Sequence, residues 1–85
     1  MQEQNPKLKA AVMAAVEQQL ENGDPPETRE TLERLKREGF SDEDARALLA
    51  EAVAVEIFCV LKESKPFNRE RFVRNLRALP AQPQE

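Results

Sequence analysis

Hydrophobic residues recur along this chain at two densities, and the denser one organises the rest. Between Ala45 and Leu61 the chain reads A-R-A-L-L-A-E-A-V-A-V-E-I-F-C-V-L, interrupted only by Arg46, Glu51 and Glu56 and free of Gly and Pro. That run exceeds a typical strand and suits a helix of about four to five turns. A helix apolar on nearly every side needs cover on nearly every side, which predicts a core helix wrapped by other helices. It is short for a membrane span, and carboxylates inside a span are costly.

Sparser patterns flank this run. Leu8, Val12, Val16 and Leu20 recur at intervals of four and predict an amphipathic first helix, with Asn5 as N-cap, Pro6 at N1 and Gly23 as a left-handed terminator. Asp24-Pro25-Pro26-Glu27 reads as the next start, with Asp24 capping, Pro25 at N1 and Glu27 at N3 of a capping box. The second helix has a thin apolar face of Leu32 and Leu35, helped by Thr28 and Thr31, and ends at Gly39. Ser41 caps the core helix, and Asp42, Glu43 and Asp44 suit its positive end. Ser64-Lys65-Pro66 breaks the pattern. Asn68 then caps a last helix carrying Phe72, Val73, Leu76 and Leu79, with Phe67 and Phe72 spaced as a hydrophobic staple.

The expected fold class is therefore all-α. One four-helix domain over residues 1–80 is predicted, with helices near 6–22, 25–38, 42–63 and 69–79, followed by a flexible tail at 81–85. Short connections imply antiparallel neighbours, with a steeper crossing open to the second helix. Three short partners give a long apolar helix little cover, so self-association through the first or third helix is also expected.

Composition narrows the function classes. The 85 residues are 40% apolar and 34% charged, too apolar for a disordered chain and small for a single core. A net charge of −3 disfavours a nucleic-acid or acidic-membrane coat. Cys59 is the only cysteine and reads as a buried structural thiol. No export signal is legible, and a cytoplasmic location is the default expectation. The chain has no histidine, hence neither the commonest general base nor the commonest metal ligand. No phosphate loop, Cys-x-x-Cys or nucleophile–base pair is present. An enzyme is disfavoured, and no cofactor is expected.

Three groups of residues carry the candidate chemistry. Glu56 lies in the apolar half of the core helix, where an unpaired carboxylate is expensive. It calls for an arginine of the last helix (Arg69, Arg71 or Arg74) or Lys9; alternatively it is half of a carboxylate metal site with Glu17 or Glu51. Glu51 is excluded as a same-helix partner, being about 140° around the helix from Glu56. The second group is the basic patch Arg69, Arg71, Arg74 and Arg77, which reads as a solvated, ion-paired face or as a surface for an acidic partner or nucleic-acid phosphates. Lys9, Met13 and Glu17 on the first helix, with Glu56 nearby, form the third: a candidate partner-binding flank.

Two resemblances follow from these residues. Asn5-Pro6, Val16-Glu17-Gln18-Gln19-Leu20, Pro25-Pro26, Glu38-Gly39-Phe40, Ala54 to Leu61 and Phe67-Asn68-Arg69-Glu70-Arg71-Phe72 together resemble a group of small uncharacterised bacterial helical domains. Members often carry two histidines four apart on the first helix and another on the third, which looks like a metal or proton site. Lys9, Met13 and Ala47 stand at those positions here, which implies loss of a histidine site and leaves Glu17 and Glu56 as relics. Locally, Leu35 to Leu49, with Glu38-Gly39-Phe40, Ala45 and Leu48, is similar to the middle of ubiquitin-associated domains. Glu38 stands where those domains have a contact methionine, and the third helix is about twice as long.

The residues favour a non-catalytic helical interaction or accessory domain, binding a protein partner or itself as a homodimer. A divalent-metal bundle using Glu17 and Glu56, and nucleic-acid binding through the last helix, are the alternatives.

Overall fold

Local capping chemistry sets the helix boundaries. The computed structural model describes residues 6–85, and among them the secondary structure is four helices: α1 (Pro6–Asn22), α2 (Pro26–Arg37), α3 (Asp42–Glu63) and α4 (Arg69–Ala78). The expected cap at Asn5 lies outside the described residues. α1 ends where Gly23 turns to φ +66° and the Asp24 N–H donates to the Gln19 carbonyl. At the end of α2, Gly39 (φ +108°) lets Phe40 N–H reach Leu35 O while its own N–H reaches Lys36 O. Both ends use the left-handed conformation that glycine adopts without a Cβ penalty. Ser64 reaches the same region (φ 55°) at the end of α3, its N–H bonded to Val60 O.

Starts follow the expected grammar at two helices and depart from it at a third. The Ser41 side chain accepts from Asp44 N–H and the Asn68 side chain from Arg71 N–H, satisfying donors the first turn leaves open. α2 begins one residue later than expected. Pro25 is its N-cap and Pro26 its N1, so Asp24 does not cap and Glu27 stands outside a capping box. Either proline suits N1. The choice falls where the Thr28 N–H can reach the Pro25 carbonyl while the Thr28 hydroxyl bonds Gln19 Oε1 at 2.8 Å.

The core joins Val12, Val16 and Leu20 of α1, Leu32 and Leu35 of α2, and Ala45, Leu49, Ala52 and Val53 of α3 to Phe72, Leu76 and Leu79. The α1 stripe is one turn shorter than its sequence pattern, because Leu8 is 44% exposed. α3 touches all three other helices, whereas α1 and α4 do not meet among the described residues. The start of α4 lies beside Glu56, and the segment after it lies beside Leu48 and Glu51, so α3 and α4 run antiparallel.

Two arginines of α2 close the ends of its neighbours. Arg29 donates to Leu20 O at 2.7 Å at the end of α1. Arg34 donates to Leu76 O and Leu79 O (3.2 and 2.9 Å) at the end of α4. A cation at a helix C-terminus answers both the open carbonyls and the negative end of the dipole. A helix with a thin apolar face is thereby fastened at two further points.

Cover for α3 is incomplete. At about 33 Å, a 22-residue helix outruns partners of 12 and 10 residues. Phe58 is 50% and Leu61 72% exposed. No helix of the described residues is long and apolar enough to cross a membrane.

Candidate functional site

Glu56 is fully buried and still charged. Its Oε2 accepts from Arg71 Nε at 2.6 Å, and its Oε1 accepts from Arg71 Nη2 at 3.1 Å and from the Asn68 backbone N–H at 2.9 Å. Burial pushes the Glu56 carboxyl up, but the hydrogen bonds from Arg71 and Asn68, with the charges of Arg71 and Arg74, outweigh it and leave the carboxyl below its ordinary value. Glu56 in turn raises the Arg71 guanidinium above its usual value. The arrangement is positional. One carboxylate takes a two-pronged arginine and an otherwise open N–H of the α4 start, fixing α4 on α3 where the Phe67 and Phe72 rings pack edge to face at 5.1 Å.

The metal reading placed Glu17 beside Glu56, and the two do not converge. Glu17 is exposed near the end of α1 and pairs with Arg46 at 2.6 Å, in a chain that runs on through Asp42 to Lys36. Those bonds raise Arg46, with Glu17 the larger cause, and lower Asp42, chiefly through Arg46. Arg46 and Glu56 are about 15 Å apart along the α3 axis. Among the described residues no group of three or more acidic or cysteine side chains is arranged so that it could hold a metal ion.

The expected partner-binding flank is also dispersed. Lys9 is exposed and Met13 half-buried on α1, but Glu56 presents no surface at all. The basic patch divides in the same way. Arg71 turns inward to Glu56, while Arg69, Arg74 and Arg77 line a cleft with Glu27, which faces Arg69 at 3.5 Å and Arg77 at 4.0 Å. The four arginines therefore do not form one phosphate-tracking face.

What the structure assembles instead is the outer stripe of α3. At about 100° per residue, Ala47, Ala50, Ala54, Phe58 and Leu61 fall in one arc opposite the buried Leu49, Val53 and Glu56. Ala47, Phe58 and Leu61 are exposed, and Ala50 and Ala54 half-buried. Lys62 lies over the Phe58 ring, 5.4 Å from its centroid. The sequence signal was the all-round apolar pattern of this helix, which asks for cover from other helices of the chain and, since those are short, for self-association through the first or third helix.

A second feature went unread. Residues 80–85 fold back across α3, and the buried Asn75 holds them: its Nδ2 donates to Gln84 O at 2.8 Å, and its Oδ1 accepts from Gln84 N–H at 3.0 Å. The tail for which the sequence suggests mobility thus carries a specific anchor. Asn75 interrupts the apolar spacing of Phe72, Leu76 and Leu79, and a polar residue on a buried helical face is the signal that points to a partner.

No protein-family model, curated protein or solved structure matches this chain.

Proposed function

We propose that the chain is a non-catalytic interaction domain that pairs with a second copy of itself through the outer stripe of α3. The observation that carries this reading is the exposure of Phe58 and Leu61 on the helix that also builds the core. Exposed apolar side chains that continue one another along a helix mark an association surface.

The occupant follows from the shape of the stripe. Its first half is small (Ala47, Ala50) and its second half large (Phe58, Leu61), with Ala54 midway. Two copies laid antiparallel about a two-fold axis at Ala54 set Leu61 against Ala47 of the second copy and Phe58 against its Ala50. Large side chains fill the space that small ones leave, which is the self-complementarity an isologous interface requires. The stripe spans about 21 Å of helix. That is short for a standard interface, so the pairing is expected to be weak and concentration-dependent.

Light scattering over a concentration series tests the pairing. The mass should rise toward that of a dimer, and Leu61→Lys should hold the chain monomeric with its melting temperature unchanged. A wild-type mass fixed at one chain up to millimolar concentration would refute it.

A further inference from the structure

Asn75 addresses a neighbouring segment in an unusual way for a mid-helix residue. Its amide bonds both the N–H and the C=O of one residue, Gln84, and touches nothing that distinguishes glutamine from another side chain. Gln84 itself is exposed, as are Gln82 and Glu85, whereas Pro83 is half-buried. The segment is therefore held by backbone at one position and by a proline at the position before it. Proline presets the extended conformation and lowers the cost of ordering a bound strand.

The surroundings suit a longer or bulkier occupant than the one present. Between the segment and the α3 wall of Leu48, Ala54 and Val55 lies a cleft of about 450 Å³, with Glu51 at its rim. Beyond Asn75, the segment is tied at its start by the Ala81 N–H bonded to Ala78 O at 2.9 Å and near its end by an exposed Lys62–Glu85 contact at 4.0 Å, which is weak. Asn75 is only 3% exposed, so its amide needs both bonds from some backbone whenever it is buried.

We propose that Asn75 and this cleft form a recognition site for an extended, proline-containing peptide of a partner protein, and that residues 80–85 fill the site in cis. The occupant is defined by chemistry: a proline seated beside α3, followed by a residue whose N–H and C=O are both free. Ala54 lies both in this wall and on the proposed α3 axis, so a paired copy would compete with the segment, and the proposal does not rest on that pairing. Its test is read at Asn75 and Gln84, at protein concentrations too low for self-association.

The probe is a capped peptide copying residues 79–85, titrated into the full-length, isotope-labelled chain and followed by nuclear magnetic resonance. Because the cis segment competes at millimolar effective concentration, the peptide should displace it over roughly 1–10 mM. Gln84 N–H should move to its free-chain position while the Asn75 side-chain amide keeps its bound one. A peptide with proline at the Gln84 position lacks the required N–H and should displace nothing. In a Gln84→Pro chain, where the cis segment has lost that donor, the unmodified peptide should bind at least about tenfold more tightly than to wild type. If Gln84 of the wild-type chain stays bound at the highest peptide concentration, or if both peptides act alike, Asn75 is a structural latch only and the proposal fails. The wild-type titration decides this even if Gln84→Pro does not fold.

Discussion

Leu49 and Leu61 are the same side chain on the same helix, and one is fully buried while the other is 72% exposed. The inner face of α3 meets three helices and tolerates a carboxylate because that carboxylate is completely partnered. The outer face is free of charge along its central stripe yet meets no other helix among the described residues. Burial on the first face is a property of one chain. On the second it would come from the proposed pairing, so substitutions on the two faces should separate stability from association.

The largest effect is expected at the ion pair. Arg71→Ala leaves Glu56 buried without its cation and should lower unfolding free energy by about 3–5 kcal/mol, measured by urea titration. Its pH dependence should also change sign. In the wild type, Glu56 is held below the unfolded carboxyl value of about 4.3, so its contribution is present above that pH and is lost as pH falls through the lower folded value. In Arg71→Ala the remaining cause is chiefly burial, which raises the folded value above the unfolded one. The penalty is then full at neutral pH and relieved on acidification. Urea midpoints at pH 7 and pH 4 should converge between the two proteins, and a constant gap would contradict the assignment.

The inner apolar face comes next. Leu49→Ala should cost about 2–5 kcal/mol through lost burial and a residual cavity. Removing the cap in Ser41→Ala should cost about 1 kcal/mol. Both should appear as lower urea midpoints with the slope retained. Leu61→Ala, chemically identical to the first change, should alter stability by no more than about 0.5 kcal/mol while weakening association. A large loss of stability there would mean that the outer face is part of the single-chain core after all.

Features legible in the sequence were those written within a few residues. Ser41, Asn68, Gly23 and Gly39 act on neighbours in the chain, and the Phe67–Phe72 contact spans one helix start. Asp24-Pro25-Pro26 was ambiguous because two successive prolines both suit N1, and the choice depends on Gln19 across the turn. For Glu56, the cost of burial called for a cation, and the last helix was among the places to seek it. Singling out Arg71 required the register of α4 on α3. Arg29 and Arg34 gave no local sign that they close the ends of α1 and α4, since their acceptors are backbone carbonyls supplied by other helices. The candidate surface shifted for a related reason. Periodicity marks a helix as apolar on all sides, but how far its neighbours reach depends on their lengths and crossing, which set Phe58 and Leu61 outside.

The central claim, an antiparallel α3 pair with its axis at Ala54, is tested most directly by disulfide trapping. Ala54→Cys in a Cys59→Ala background places one thiol per chain at the proposed axis, where the two copies approach within disulfide reach. Mild oxidation should convert that chain to a covalent dimer, whereas Gln18→Cys on α1 in the same background should remain a monomer. Equal trapping at both positions, or none at Ala54→Cys, would contradict the account.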